Sequence, residues 1–160
     1  MIGLIIAMIL FNIIAFKTNK RLSWNQILHI WMFTIAFQMS FDMMIEFKYF
    51  AYWYFGKKIE WQGFLPHFFI VPPVNILFLN LYPFEKSFLR KCLNIIIWDV
   101  VLVIYEAITI LPKPWGYFHY GWWKLWHAAV LDPILLIILL LYYRLVLYVE
   151  AKAINHKSNM

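Results

Sequence analysis

Charge is scarce in this sequence, and the scarcity excludes more than any motif does. Of 160 residues, only 14% are Asp, Glu, Lys or Arg. A soluble domain carries about 25%, because its surface must present groups that water solvates. An ordinary soluble globule is therefore excluded. There is one cysteine, Cys92, so no internal disulfide is possible and the redox compartment stays open. There is no Gly-rich phosphate loop, nucleophile elbow, Cys/His cluster or His-Glu-x-x-His pair, which removes the compact signatures of nucleotide, acyl-transfer and zinc chemistry. The apolar stretches also lack the alternation that a membrane β-barrel requires.

What is present is apolar and aromatic: 64% of residues are hydrophobic and 21% are Phe, Trp or Tyr. They fall in blocks at about 2–16, 24–46, 64–82, 92–111 and 127–148. A membrane-crossing helix takes about 20 apolar residues; the last four blocks meet that length and the first is short. The expected fold is an all-α integral membrane protein, a single domain over 1–160, built as a bundle of about five transmembrane helices. The first block has no basic segment before it and no small-residue cleavage site, and Lys17, Lys20 and Arg21 follow it directly. It reads as a retained helix rather than a cleaved signal. The net charge of +6 comes from basic residues placed between the blocks rather than on one face. That pattern suits anionic headgroups, so the lipid bilayer is the expected partner and nucleic acid is not.

Counting Lys and Arg in the connections gives nine on one side (Lys17, Lys20, Arg21, Lys86, Arg90, Lys91, Arg144, Lys152, Lys157) and five on the other (Lys48, Lys57, Lys58, Lys113, Lys124). The positive-inside rule then puts the protein in the cell membrane with its N-terminus outside and its C-terminus cytoplasmic. The two outer connections are aromatic, KYFAYWYFGKKIEWQGF from Lys48 and PKPWGYFHYGWWKLW from Pro112. They read either as an interfacial belt of amphipathic rings or as a lid over a cavity that opens to the outer leaflet.

An offset of 60 residues, without a gap, sets Glu46 on Glu106, Gly56 on Gly116, His67 on His127 and Pro73 on Pro133. Each of these types is scarce here, so the match predicts a repeated helical hairpin, blocks two and three against four and five, with the first block added.

Ionisable groups inside a membrane cost a few kcal/mol or more, which makes them functional candidates. In the second block Thr34, Gln38, Asp42 and Glu46 recur at i, i+4 and form one slowly drifting stripe. The fourth block carries Asp99 and Glu106, seven apart on one face. The third carries His67 and Asn75, and the fifth carries His127 and Asp132. Asp42, Glu46, His67, Asp99, Glu106, His127 and Asp132 are thus the candidate ligand or proton site. Glu46, His67, Glu106 and His127 are expected around one cavity under the aromatic loops, with Asp42 a turn deeper. Three readings fit the set: mutual hydrogen bonds that hold the bundle, proton chemistry by a desolvated carboxyl, or an ion site of Glu and His ligands. The last ranks lowest for want of a compact motif; no metal and no cofactor are expected. Pro66, Pro72, Pro73 and Pro133 remove backbone donors and predict breaks or kinks. The freed carbonyls line a cavity or pack on neighbours.

At FKTNKRLSWNQILHIWMFTIAFQ, FDMMIEFKYFAYWYF and PWGYFHYGWW, the chain resembles, over nearly its full length, a family of small multi-pass membrane proteins of spore-forming Gram-positive bacteria, and that resemblance implies no activity. It is also similar to the emopamil-binding sterol isomerase group, whose second helix has a His-x-x-x-Glu pair before an aromatic stretch. Asp42 and Glu46 stand at the matching places, without the His. This similarity implies a lateral or outward cavity in which a carboxyl protonates an isoprenoid-like ligand, and the missing His counts against isomerisation itself. The leading expectation is a structural or assembly membrane protein without catalysis. The alternatives are a binder or carrier of a small amphiphile, lipid or ion through the outer Glu/His/Asp cluster, and a membrane-embedded enzyme acting on a lipid or isoprenoid by proton transfer. Oligomeric state is not set by the sequence.

Overall fold

The apolar blocks become helices, because a backbone without water must satisfy its own hydrogen bonds. The computed structural model describes residues 1–58 and 60–158; Ile59 of the first outer connection and 159–160 of the tail lie outside the described residues. In chain order the elements are α1 (Ile2–Thr18), α2 (Trp24–Asp42) running straight into a π-helical segment (Met43–Lys48), β1 (Tyr52–Tyr54), α3 (Trp61–Phe69), α4 (Val71–Leu81), α5 (Phe88–Thr109), β2 (Phe118–Tyr120) and α6 (Leu125–Ser158). Among the described residues four helical units are long and apolar enough to cross a membrane: Trp24–Lys48, Trp61–Leu81, Phe88–Thr109 and Leu125–His156. The architecture is an all-α bundle of membrane type. The shorter α1, 17 residues and so about 26 Å long, buries Leu4, Ala7 and Ala15 and packs along α4.

Boundaries moved from the hydropathy blocks for local reasons. Ser23 starts α2 with a reciprocal cap, its hydroxyl accepting from the Gln26 N–H while the Gln26 side chain accepts from the Ser23 N–H. The third span begins at Trp61, not 64, and is broken at Ile70, because Pro72 and Pro73 cannot donate back to the preceding turn. Pro73 is the residue that would have donated to the Phe69 carbonyl. That carbonyl instead accepts from Asn12 Nδ2 of α1 at 2.7 Å. Pro133 causes no break: α6 is continuous for 34 residues, about 51 Å, and so extends past a hydrocarbon core of about 30 Å.

Contacts at the helix ends sort the connections. The Gly3 N–H donates to Pro114 O at 3.3 Å, and a Cβ at Gly3 would run into the Trp115 carbonyl. The start of α1 therefore lies with the 110–124 connection. At the other end Asn80 Nδ2 donates to Thr18 O (2.8 Å), Arg21 to Tyr82 O (2.6 Å), and Asn25 and Gln26 to the Glu150 carboxyl (each 2.6 Å). Lys17 to Arg21, Lys86 to Lys91 and the end of α6 thus share one side of the bundle.

The aromatic connections are more than loops. β1 and β2 pair antiparallel, Tyr52 with Tyr120, Trp53 with His119 and Tyr54 with Phe118, and the Gly121 N–H donates to Ala51 O at 2.8 Å. A side chain at Gly121 would collide with the Phe50 carbonyl. This ribbon closes one end of the bundle. The two hairpins, in contrast, are not built alike. The second span ends in a π segment where α5 stays regular to Thr109, and the third is broken where α6 runs through.

Candidate functional site

The polar stripe of α2 faces inward: Thr34, Asp42 and Glu46 are buried and Gln38 is half-buried. In a regular α-helix each i, i+4 step drifts by about 40°. The wider π turn rotates less per residue, which brings Glu46 back beneath the ribbon beside Asp42. Asp42 accepts from the Tyr52 hydroxyl and from Gln38 Nε2 (3.2 Å). Its Oδ2 also lies 3.1 Å from His67 Nδ1. That contact is within ion-pair reach but does not form a hydrogen bond, so the buried Nδ1 has no hydrogen-bond partner among the described residues. The Tyr54 N–H donates to Glu46 Oε1 at 3.2 Å, and the Tyr54 ring stands edge-on to His67, centroids 5.1 Å apart.

On the opposite side the Tyr120 hydroxyl donates to Glu106 Oε1 at 2.6 Å, and the Tyr105 and Tyr117 hydroxyls meet at 2.7 Å. The cross-strand partners Tyr52 and Tyr120 therefore each give their hydroxyl to a carboxylate of a different helix, Asp42 of α2 and Glu106 of α5. Burial first, then the carboxylate each one meets, pushes the Tyr52 and Tyr120 phenols up. Burial also raises those of Tyr54 and Tyr117. All four stay protonated donors at neutral pH.

Beneath the ribbon lies a central cavity of about 210 Å³. Its walls are Phe33, Phe37 and Gln38 of α2, Ile70, Val74 and Asn75 at the α3–α4 break, Leu102 and Glu106 of α5, and Asp132, Leu135 and Leu139 of α6, with Tyr54, Tyr117 and Phe118 above. A second pocket of about 20 Å³ lies beside it, bounded by Asp42, Glu46, His67, Lys58 and Glu60. Tyr54 borders both. No protein-family model, curated protein or solved structure matches this chain.

The candidate residues consequently divide rather than surround one cavity. Glu106 and Asp132 line the larger space; Asp42, Glu46 and His67 line the smaller, because the Tyr54 side chain stands between them. His127 joins neither. It lies over Trp126 and Trp123, ring centroids 3.6 and 4.9 Å away, and its Nδ1 accepts from the Lys124 N–H at 2.9 Å, so it caps the start of α6. Asp99 borders neither pocket: it is half-buried on α5, and its Oδ1 is enclosed without a hydrogen-bond partner among the described residues. Among the described residues no three His, Cys, Asp or Glu side chains group as a cation would need.

The sequence reading passed over Asn12, Tyr52, Tyr54, Tyr105, Tyr117 and Tyr120. Asn12 had a signal, as the lone polar residue within the first apolar block. The tyrosines did not, since rings at a membrane boundary need no partner to be explained.

Proposed function

We propose that the protein is a membrane-embedded binder or carrier of a small amphiphile. The single observation behind this is the partly open cavity of about 210 Å³, with apolar walls and a polar end under the ribbon. An engineered apolar cavity of roughly 150 Å³ already admits benzene. Both doors of the site are aromatic: the ribbon above, and Phe33 and Phe37 of α2 beside α6. Access from the bilayer through the side is the route that suits an apolar ligand.

Native mass spectrometry in mild detergent tests the reading. The protein is expected to retain a small-molecule adduct, and Val74→Phe, which fills the cavity from its wall, to reduce that adduct several-fold while the fold survives. A protein free of adduct, or an adduct indifferent to Val74→Phe, refutes the proposal.

The orientation belongs to the same proposal. With nine basic residues at one end and five at the other, the ribbon and the N-terminus face outward and the end of α6 is cytoplasmic. In a Cys92→Ser background, Ser87→Cys and Asn155→Cys are expected to resist an impermeant thiol reagent applied to whole cells. Strong labelling of either overturns the orientation.

A further inference from the structure

The end of the bundle away from the ribbon gathers charge of one sign. Its connections and helix ends carry nine Lys and Arg against two acids, Glu85 and Glu150. Among the described residues no Lys or Arg comes within ion-pair distance of a carboxylate; the one contact of that kind belongs to His67 and Asp42, near the other end. Glu150 is committed to the side-chain amides of Asn25 and Gln26. The fold brings two of these cations to one place. Arg21, in the turn between α1 and α2, donates from Nη1 to Tyr82 O at 2.6 Å, and its Cζ lies 5.0 Å from the Phe84 ring centroid. The Phe84 ring packs in turn on Tyr82 and on Tyr143 of α6, with centroids 4.8 and 5.6 Å away. Arg144, the next residue of α6, is exposed and within electrostatic reach of the Tyr82 phenol. Arg21 is within the same reach of the Tyr143 phenol. Three segments far apart in the chain thus set two guanidiniums around one aromatic cluster.

A guanidinium has five N–H donors in a planar fork, and the Tyr82 carbonyl takes one of those of Arg21. Arg144 has no protein hydrogen bond among the described residues. A guanidinium held on one side and free on the other matches the oxygens of a phosphate in charge and in geometry. The surface beside the pair is hydrocarbon. Leu81, directly before Tyr82, is exposed, and so are Leu141 and Leu145, which neighbour Arg144 on the surface of α6. Tyr82 follows the last residue of the span Trp61–Leu81, so the pair lies at the boundary where bilayer phosphates sit. We propose that Arg21 and Arg144 form a binding site for the phosphate headgroup of an anionic phospholipid, whose acyl chains run along Leu81, Leu141 and Leu145. A free phosphate meets the guanidiniums and leaves the leucines uncovered. A zwitterionic lipid brings its own ammonium, which competes with the two arginines for the phosphate.

Native mass spectrometry of the full-length protein, released from nanodiscs of equal parts phosphatidylglycerol and phosphatidylcholine, tests this. The phosphatidylglycerol adduct is expected to exceed the phosphatidylcholine adduct by about fivefold or more, the factor that one basic residue contributes at an anionic surface. Arg21→Gln combined with Arg144→Gln is expected to bring that ratio below about twofold. Lys17→Gln combined with Lys152→Gln removes the same charge from the same end and is expected to leave the ratio nearly unchanged. A ratio near one in the unaltered protein overturns the proposal. An equal loss in the two double variants also overturns it, because the preference is then diffuse attraction rather than a site. Displacement of phosphatidylglycerol by excess inorganic phosphate shows that the phosphate alone is bound and overturns the assignment to a lipid. Arg144 has no protein hydrogen bond to lose, so Arg144→Gln alone decides the matter if the Arg21 variant does not fold. It is expected to lower the ratio at least about twofold, and an unchanged ratio removes Arg144 from the role.

Discussion

Tyr52→Phe removes one oxygen from the ribbon and nothing else. The ring of Tyr52 keeps its contacts with Phe118 and Trp123, at centroid distances of 4.9 and 5.4 Å, so the packing contribution is conserved. What is lost is a hydrogen bond to Asp42 between two side chains that are almost wholly enclosed, 5% and 3% exposed. A hydrogen bond to a charged group contributes about 1.5–3 kcal/mol in water-soluble proteins. Within membrane bundles the same bonds average about 0.6 and reach about 1.7 kcal/mol, because the unfolded reference state also finds partners. Tyr52 lies at the rim, outside the spanning helices, and among the described residues Asp42 retains one hydrogen-bond donor, Gln38 at 3.2 Å, with His67 within ion-pair reach. The upper end of the membrane range therefore applies, and the expected destabilisation is about 1.5 kcal/mol. Tyr120→Phe, whose side chain is half-buried over Glu106, is expected to cost about half as much. Reversible unfolding in mixed micelles gives both values, and hydrogen exchange at the Tyr54 and Gly121 amides shows whether the loss is local to the ribbon. A neutral Tyr52→Phe, or a Tyr120→Phe that costs more, refutes the assignment of Asp42 as the main anchor.

Asn12→Leu is expected to cost about 1–3 kcal/mol by stranding the Phe69 carbonyl, and less in a Pro73→Ala background, where a restored N–H can reach it; a double-mutant cycle in detergent unfolding measures the difference. The raised phenols of Tyr52, Tyr54, Tyr117 and Tyr120 favour the folded state, so their contribution is complete below the unfolded tyrosine value of about 10 and declines as pH rises beyond it. Melting temperature is expected to be flat from pH 7 to 9 and to fall above about 10, together with tyrosinate absorbance; a fall that begins near pH 8 contradicts the sign. Glu150→Ala removes both bonds to Asn25 and Gln26 at an exposed helix end and is expected to cost about 1 kcal/mol or less, with faster exchange confined to the first turn of α2.

Hydropathy alone placed four helices of spanning length at about 24–46, 64–82, 92–111 and 127–148, and the structure has one at each place, with ends shifted, at Trp24–Lys48, Trp61–Leu81, Phe88–Thr109 and Leu125–His156, because a continuous apolar run decides the state of its own backbone. The i, i+4 stripe of Thr34, Asp42 and Glu46 likewise announced its inward face, and Pro72 with Pro73 announced the break at Ile70. These are properties of neighbours in the chain. The pairing of Tyr52 with Tyr120 joins segments 68 residues apart, and the bond from Asn12 to Phe69 spans 57; neither leaves a local trace. Nor could spacing show that Tyr54 would stand between two groups of acids, that Asp132 would open into one of the spaces, or that His127 would be drawn out among Trp122, Trp123 and Trp126. A side chain's depth and partner depend on how helices rotate and approach, and that is settled by packing between elements rather than by the composition of any one of them.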